Sequence, residues 1–292
     1  MTTTIIYHDK SPTPVPINDR CFNYGDGFFT TILSQNNQIL LLDLHLNRLK
    51  RAANRLLFEP IDWQQLEKSL QPITTEQPSV VKVLVSRGAG GRGYNSQNLS
   101  PFIYITVAEY PAFFPNWREN GISLGVSSVA LGLNPLLAGI KHCNRLEQVL
   151  IKNAMQSNTD KTCASQEQTF DDVVVCDLNG CVVECSASNI FWRSAKGEWY
   201  TPLNDVAGVD GVMKQFIMDN LPELSHTKQV KASLDELFAA DSLFICNSLM
   251  GIVPVHSLTH NEQSYRFDMT ISYGLAVHLQ LRLQPQQEQR LK

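Results

Sequence analysis

The sequence predicts an α/β protein built from two domains. The chain has 292 residues, of which 43% are hydrophobic, so it can bury a core large enough to divide in two. Apolar runs of strand length and apolar residues at helical spacing both recur along it. The proline-containing run at 110–115 interrupts both periodicities. We therefore expect an N-terminal α/β domain at 1–110, a linker at 111–121 and a C-terminal α/β domain at 122–292.

Charge and cysteine usage favour a protein that acts on a small molecule. The chain carries 24 basic and 28 acidic residues and a net charge of −4, without the basic stripe expected of a nucleic-acid partner. No apolar run reaches membrane-spanning length and the start does not resemble a secretion signal, so we expect a cytoplasmic protein. Seven cysteines, an odd number, suit reduced thiols. Cys176, Cys181 and Cys185 lie close together, but no histidine is nearby, so we predict a hairpin and no metal site.

The N-terminal half reads as alternating strands and helices. The loop at 19–27 leads into a β-prone run that ends near 32, and residues 35–38 predict a hairpin turn. Asp43 is the expected cap of a helix whose apolar face contains Leu46, Leu49, Ala53, Leu56 and Leu57. A second helix is expected at 62–70, before a buried strand at 80–86. His45 and Arg48 share one side of the first helix, where a solvated face is the ordinary expectation.

A glycine-rich stretch follows the strand at 80–86. Gly88, Gly90 and Gly93 fit the spacing of a dinucleotide-binding loop, but a strand at 102–107 follows where that motif requires a helix. We therefore predict a wide loop between two antiparallel strands. Arg87 and Arg92 within it could bind carboxylates, and the alternative is that both are solvated at a loop tip.

The C-terminal half is centred on one lysine. Lys141 follows an apolar, glycine-flanked run after an expected strand at 122–131, and Asn144 is a possible cap for the helix that comes next. That helix has its apolar residues at helical spacing, namely Leu146, Val149, Leu150 and Ala154. A lysine withdrawn from water loses hydration of its charged form, so its pKa falls and the neutral amine becomes a nucleophile and a base. Most lysines are solvated surface charges, and this is the alternative for Lys141.

The remaining chain offers a carboxylate and an anion site. A polar run at 157–170 predicts a mobile loop, and 173–185 predicts a hairpin turning at Asn179 and Gly180. Glu184 closes that hairpin's apolar strand, where a carboxylate needs a partner unless it reaches water.

Further elements are predicted beyond the hairpin. Residues 207–213 precede a helix whose first N–H groups could hold a phosphate. We also expect a capping box at Ser233 and Glu236, a strand at 242–246, a last helix at about 267–283 and a polar tail at 284–292.

These segments together resemble a known family. The stretches at 23–31, 87–94, 139–148 and 184–191 are similar, in this order, to the fold-type IV pyridoxal-phosphate enzymes, which include the branched-chain and D-amino-acid aminotransferases. The resemblance covers about 17–283. It implies the two-domain D-amino-acid aminotransferase-like fold, pyridoxal 5'-phosphate as cofactor and a homodimer.

The resemblance also implies roles for individual residues. Lys141 would bind the cofactor covalently, Glu184 would pair with its pyridine nitrogen and Arg48 would hold its phosphate. Further phosphate contacts are implied at Val212, Met213, Asn247 and Ser248, and substrate contacts at Arg87, Arg92, Tyr94 and Thr30.

The implied activity is that of a lyase in folate synthesis, which converts 4-amino-4-deoxychorismate to 4-aminobenzoate and pyruvate. Lys141 would take the proton from the carbon that bears the substrate's amine. One alternative is a branched-chain or D-amino-acid aminotransferase with the same cofactor, which needs an amino acceptor. A second alternative is a protein that binds the cofactor without turnover.

Overall fold

The described residues form two compact units. The computed structural model describes residues 4–8, 15–157 and 169–283, with the side chains of 4–8 and 157 left out. Unit 1 consists of Met1–Pro111 and Ile140–Arg145, and unit 2 of Ala112–Gly139 and Leu146–Lys292. The segment that carries Lys141 therefore belongs with the N-terminal unit, although it is surrounded in sequence by unit 2.

Unit 1 contains, within the described ranges, a five-stranded sheet with helices. Its strands lie in the order β1-β5-β4-β2-β3, and all neighbours are antiparallel except β1 and β5. In chain order the elements are β1 Thr4–His8, α1 Arg20–Tyr24, β2 Gly27–Gln35, β3 Gln38–Ile39, α2 Leu42–Arg55, α3 Trp63–Leu70, β4 Ser79–Ser86 and β5 Phe102–Glu109. The apolar faces of α2 and α3 pack with the alternate inward residues of β2, β4 and β5 to form the core.

Unit 2 contains a nine-stranded mixed sheet in the part of the chain that the structure describes. Eight strands follow the order β11-β10-β9-β12-β13-β6-β7-β8, and β14 pairs with β13. The strands are β6 Ile122–Val126, β7 Asp172–Cys176, β8 Val182–Cys185, β9 Asn189–Ser194, β10 Trp199–Pro202, β11 Lys228–Val230, β12 Ala240–Asn247, β13 Gly251–His260 and β14 Gln263–Arg266. The helices are α4 Phe114–Asn120, α5 Leu146–Ser157, α6 Val212–Asn220, α7 Leu234–Phe238 and α8 Thr270–Leu283.

Most predicted elements are confirmed. The turn at 35–38 joins β2 to β3 through Asn36 and Asn37, both with positive φ, as a tight hairpin requires. Asp62 caps α3 by accepting a hydrogen bond from the N–H of Gln65 at 2.9 Å. The glycine-rich stretch connects the antiparallel strands β4 and β5, and β7 and β8 form the predicted hairpin. None of the described helices is both long and apolar enough to cross a membrane.

Several local expectations were wrong. Helix α2 begins at Leu42 with Leu41 as its N-cap, and Asp43 lies in the first turn. An acidic side chain in the first turn interacts favourably with the positive end of the helix dipole. An aspartate near the start of a helix is therefore compatible with either position. Ser233 occupies an N-cap position without a side-chain hydrogen bond, so the capping box does not form.

Other boundaries also differ from the predicted ones. The strand from Ile122 ends at Val126, and the last helix begins at Thr270. The expected linker contains α4, because Pro115 falls in the first turn of that helix, where a missing N–H costs nothing. The expected loop at 157–170 and tail at 284–292 lie largely outside the described residues.

Candidate active site

The Lys141 segment is bound along strand β2 of unit 1. The N–H of Phe29 donates to the carbonyl of Lys141 at 2.9 Å, and Phe28 and His142 form an antiparallel bridge. The Lys141 side chain is half-buried, with Nζ 5.0 Å from the centre of the Phe29 ring. The backbone of this lysine is therefore fixed by pairing with a buried strand, and its amine lies over an aromatic face.

Arg145 fixes the same segment from its other end. Its Nε donates to the carbonyl of His142 and one terminal nitrogen donates to the carbonyl of Ile140, both at 2.8 Å. One guanidinium thus binds the carbonyls on either side of Lys141, and it therefore acts as a positioning residue. Burial, with the nearby charge of Arg145, lowers the pKa of His142 to about 4. Sequence analysis missed Arg145, because a carbonyl-binding arginine has no signature in sequence.

Thr30, His45 and Arg48 form a buried polar cluster in unit 1. The Thr30 hydroxyl lies 2.6 Å from Nδ1 of His45 and accepts a hydrogen bond from Arg48. Burial, followed by the charge of Arg48, lowers the pKa of His45, so the ring is neutral. Nε2 of His45 is buried and has no hydrogen-bond partner among the described residues. Arg48 and Thr30, predicted from the sequence for different ligands, are therefore in direct contact.

Arg87 has a structural role in the described unit. Its Nε lies 2.9 Å from both oxygens of Asp26, and its terminal nitrogens donate to the carbonyls of Leu56 and Leu57 at the end of α2. The guanidinium is buried and lies 4.0 Å from the centre of the Phe58 ring. These contacts join three segments of unit 1. They correct the expectation that Arg87 is available for a substrate carboxylate.

The rest of the glycine-rich loop is anchored by Arg20. This buried residue pairs with Asp26 at 2.7 Å and donates to the carbonyl of Gly93 at 2.9 Å. Arg92 and Tyr94 are exposed, and the Tyr94 ring makes an edge contact with Tyr24, their centres 5.7 Å apart. The loop therefore presents Arg92 and Tyr94 to solvent from a fixed base. The sequence analysis did not select Arg20, although Asp19 is adjacent to it and Asp26 follows six residues later.

Glu184 is buried on β8 of unit 2, and one of its oxygens is fixed. Oε2 accepts a hydrogen bond from the N–H of Val209 at 2.8 Å. The adjacent Gly208 has a φ of 80°, and a methyl group there would lie 2.4 Å from Cγ1 of Val183. Glycine is required at this position by both its backbone angle and the close approach. Glu184 is therefore buried and does not reach water as a strand-end residue would, and its pairing with a pyridine nitrogen stays a prediction.

The first backbone N–H groups of α6 have no hydrogen-bond partner within the helix, as at the start of any α-helix. The N-cap is Gly211, which has no side chain to cap the helix, and Val212 and Met213 open the first turn. A methyl group on Gly211 would lie 1.9 Å from Oδ1 of Asn189, whose Nδ2 donates to the carbonyl of Val209 at 2.9 Å. Asn189 thus holds the turn that precedes this helix start, where an anion is favoured.

Lys214, in the first turn of α6, is a buried lysine. It is 1% exposed, and its Nζ donates to the carbonyl of Pro202 and to Oδ1 of Asn204, both at 2.8 Å. Asp210 lies 3.8 Å from Nζ. Burial lowers the pKa of Lys214, against the opposing effect of Asp210. This lysine ties α6 to the segment after β10.

Asn247 and Ser248 follow β12. Oδ1 of Asn247 accepts from the N–H groups of Leu249 and Met250, both at 2.9 Å, and Nδ2 donates to the carbonyl of Ala187 at 3.3 Å. The side chain of Asn247 therefore shapes the turn between β12 and β13. Ser248 lies within that turn and is half-buried.

The fold and these residues define a class of protein. A lysine on a strand-paired segment, a buried carboxylate and a helix start with free donors suit an enzyme that binds an anionic aldehyde cofactor. The family description Amino-transferase class IV matches residues 27–258, which is most of the chain. The chain belongs to the aminotransferase class IV family.

Individual relatives agree with this membership. The chain is 33% identical to an aminodeoxychorismate lyase of Vibrio harveyi over 87% of its own length and 91% of that protein. It is 25% identical to a D-alanine aminotransferase of Bacillus licheniformis over 86% of the chain and 85% of the relative. The crystal structure of 4-amino-4-deoxychorismate lyase from Pseudomonas aeruginosa matches with a TM-score of 0.81 and 29% identity, covering 94% of this chain and 97% of that one. The predicted fold class is confirmed.

Proposed function

We propose that this protein is a pyridoxal-phosphate-dependent lyase that converts 4-amino-4-deoxychorismate to 4-aminobenzoate and pyruvate, a step of folate synthesis. The observation that carries the proposal is the similarity to aminodeoxychorismate lyases, at 33% identity over nearly the full length of one relative and a TM-score of 0.81 with the structure of another. The D-alanine aminotransferase relative supports the same family at lower identity.

The chemistry of the donors fits pyridoxal 5'-phosphate. This cofactor has an aldehyde, a phosphate and a pyridine nitrogen. The chain offers an amine for the aldehyde, anion-binding groups for the phosphate and a buried carboxylate for the pyridine nitrogen. When bound, the cofactor withdraws electrons from the carbon that bears the substrate's amine and so makes that carbon acidic. The remaining requirements, which are attachment, charge balance and proton transfer, fall to the protein's own residues.

Lys141 is the proposed attachment residue and general base. Its half-buried amine is positioned by the β2 pairing and by Arg145, whereas the Nζ of Lys214 already donates to two oxygens and is 1% exposed. A lysine that must first bind an aldehyde and then accept a proton needs an amine that a ligand can reach on a fixed backbone. Lys141 meets this description and Lys214 does not.

Glu184 is proposed to bind the protonated pyridine nitrogen. Its Oε2 is held by the Val209 N–H, which fixes the orientation of the carboxylate and favours its charged form. A buried carboxylate requires a positive partner, and a pyridinium N–H supplies one. In this proposal the pyridinium N–H is a further donor to the same carboxylate.

Anion binding is divided among charged and backbone donors. We assign Arg48 and the first N–H groups of α6 at Val212 and Met213 to the phosphate, with Ser248 as a hydroxyl donor; Asn247 shapes the turn that carries Ser248. Thr30, which orients Arg48, keeps its proposed place near the substrate. Arg92 and Tyr94 are proposed to bind the substrate's carboxylates, because Arg87 is already engaged by Asp26, Leu56 and Leu57.

The active protein is proposed to be a homodimer. Five exposed leucine and valine side chains of unit 2 lie on α5 and on the segment before it, namely Leu133, Leu136, Leu146, Val149 and Leu150. Gly132 and Glu147 are hydrogen-bonded at 2.8 Å, which joins these two stretches. Apolar surface of this kind marks a protein interface. The cytoplasmic location stays a prediction from the sequence.

The reaction is tested by following products without an amino acceptor. Purified protein with its cofactor is incubated with 4-amino-4-deoxychorismate, and 4-aminobenzoate and pyruvate are quantified by liquid chromatography. We expect equimolar products in the absence of any keto acid. The matched control is Glu184→Gln, which keeps an oxygen for the Val209 N–H but cannot balance a pyridinium charge, so turnover should fall on the order of a hundredfold. Product that appears only when a keto acid is added would favour the aminotransferase alternative.

A further inference from the structure

Two cysteines from distant parts of the sequence meet in unit 1. Cys21 lies in α1, and Cys143 follows Lys141 by two residues. A methyl group placed on Gly27 would lie 2.9 Å from Sγ of Cys21 and 3.3 Å from Sγ of Cys143, and the N–H of Cys143 donates to the Gly27 carbonyl at 2.9 Å. Both sulfurs therefore adjoin the same point beside Gly27. Both are half-buried, so a small solute can approach them.

The surroundings make the two thiols chemically unequal. The hydrogen bond from Cys21 lowers the pKa of Cys143, and the positive charges of Lys82 and Arg145 act in the same direction, against burial. The hydrogen bond to Cys143, burial and the carboxylates nearby raise the pKa of Cys21. Cys143 is therefore the better thiolate and Cys21 the proton donor, which is the division of labour between an attacking and a resolving cysteine.

We propose that Cys21 and Cys143 form a site of reversible oxidation by small peroxides, with an intramolecular disulfide as its product. The Cys143 thiolate attacks hydrogen peroxide, so that an S–O bond forms, the O–O bond breaks and the leaving hydroxide takes up a proton as water. The Cys21 sulfur then attacks the Cys143 sulfur, the S–S bond forms, the S–O bond breaks, and a second water leaves with the Cys21 proton. The two thiols are oxidised by two electrons in total, and the peroxide is reduced to two waters.

The disulfide would act on the Lys141 segment. In a disulfide the two sulfurs must approach to about 2.05 Å, so we expect α1 or the Cys143 backbone to shift. The Cys143 backbone belongs to the same strand-paired segment as Lys141, whose carbonyl is held by Phe29. The effect on turnover rests on the proposed role of Lys141. Displacement of a catalytic group by a fraction of an ångström to an ångström costs on the order of ten- to a hundredfold in rate.

Other cysteines of the chain provide matched comparisons. Cys176 and Cys181 are also half-buried and lie near one another in the hairpin of unit 2. Burial raises the pKa of Cys176 to about 11, and no cation is among the causes of the shift. This pair therefore has neighbouring sulfurs without a favoured thiolate, and we expect it to react more slowly than Cys143. Cys185 and Cys246 are buried and should not react.

The test is a map of the cysteines after oxidation of the cofactor-loaded, reduced protein. The protein is treated with hydrogen peroxide, residual peroxide is removed with catalase, remaining thiols are alkylated, and a non-reducing digest is analysed by mass spectrometry. We expect the Cys21 and Cys143 peptides joined with the loss of two hydrogens, and separated again by dithiothreitol. Two results would overturn the proposal. The first is a disulfide that joins Cys176 to Cys181, or that involves Cys163, without any Cys21–Cys143 disulfide. The second is full alkylation of Cys21 and Cys143.

Variants separate the roles of the two thiols. In Cys21→Ser, Cys143 should accumulate as a sulfenic acid that dimedone traps, whereas in Cys143→Ser the Cys21 thiol should stay unmodified. The Cys176→Ser/Cys181→Ser protein should form the Cys21–Cys143 disulfide at the wild-type rate. Dimedone on Cys21 in Cys143→Ser, at the rate seen for Cys143, would contradict the assigned asymmetry.

Activity is a separate readout. Formation of 4-aminobenzoate by the wild-type protein should fall at least tenfold on oxidation and return with dithiothreitol. A complete crosslink with unchanged turnover would refute the effect on Lys141. If the protein makes no 4-aminobenzoate even when reduced, the proposed function fails, and the crosslink map still decides the oxidation site.

Discussion

At the residue scale, the turn before α6 depends on one glycine. The φ of Gly211 is −74°, so its backbone admits alanine, but a methyl group would lie 1.9 Å from Oδ1 of Asn189. We expect Gly211→Ala to lower the free energy of unfolding by roughly 1–3 kcal/mol because the side chain of Asn189 must move. Urea unfolding measures this. Gly91→Ala, where a methyl group would meet nothing within 4 Å, should change it by less than about 0.5 kcal/mol. Equal losses in the two variants would contradict the packing argument.

His142 gives the protein a dependence on pH that follows from its burial. The pKa of His142 is about 4 in the folded chain, below the ordinary value of 6.5, so the folded chain binds a proton at this residue more weakly than the unfolded chain does. Its contribution to stability is complete above pH 6.5 and is lost as the pH falls towards 4, because the unfolded chain takes up a proton that the folded chain does not. We expect His142→Asn to reduce the fall in unfolding free energy between pH 7 and 4.5. Parallel pH profiles for wild type and variant would contradict this origin.

At the element scale, the glycine-rich loop divides into a fixed base and an exposed tip. Arg87 at the base binds Asp26 and the end of α2. We expect Arg87→Ala to lower the free energy of unfolding by about 3 kcal/mol, because it leaves the Asp26 carboxylate with one arginine fewer and removes buried hydrogen bonds. Chemical unfolding measures the loss. A variant as stable as wild type, but with a raised KM, would return Arg87 to the substrate.

Arg92 at the tip should behave in the opposite way. It is exposed, so Arg92→Ala should leave the free energy of unfolding within about 0.5 kcal/mol of wild type. Loss of a charge-assisted contact to a substrate carboxylate should raise KM by roughly ten- to a hundredfold. Steady-state kinetics of 4-aminobenzoate formation measure it, with cofactor absorbance as the control. An unchanged KM would remove Arg92 from the proposed site.

Arg87 and Arg92 have different environments that the sequence alone does not predict. Both precede or follow glycines in one loop, and nothing local distinguishes them. Arg87 is distinguished by Asp26 and Leu57, which are far from it in sequence and near it only after folding. Hydrophobic periodicity, by contrast, is local, and it located α3, β4 and the β7–β8 hairpin because burial of one face is imposed along the element itself.

At the scale of the whole molecule, an apolar face lacks a covering element in the described chain. The sequence predicts Leu146, Val149 and Leu150 as the buried face of α5, yet Leu150 is 55% exposed. Hydrophobic periodicity shows that one face of a helix is apolar. It does not show which part of the protein, or which other chain, covers that face. In the homodimer proposed above, a second copy would cover this face.

The dimer is tested by placing a charge on that face. We expect Leu150→Glu to shift the protein from dimer to monomer in sedimentation velocity, because a buried unpaired carboxylate opposes association. The matched control is Val277→Glu on α8, where the side chain is 61% exposed and no interface is proposed. Val277→Glu should sediment as wild type. Two variants that both sediment as dimers would place the interface elsewhere.

The domain bounds 1–110 and 122–292 rest on the proline-containing interruption and stay a prediction. The membership of Ile140–Arg145 in unit 1 has no signal in composition. It depends on the pairing of Lys141 with Phe29 and of Cys143 with Gly27. The resemblance to a known family indicated that Lys141 is functionally important. The contacts in the structure show how its segment is held.

The central claim is that Lys141, and no other lysine, carries the cofactor. The most direct measurement is reduction of the purified protein with borohydride, followed by digestion and mass spectrometry to locate the residue that bears reduced pyridoxal phosphate. We predict a single labelled peptide, the one that contains Lys141, and no label in the Lys141→Ala protein. A label on Lys214, whose side chain is buried, or on Lys152 would contradict this assignment.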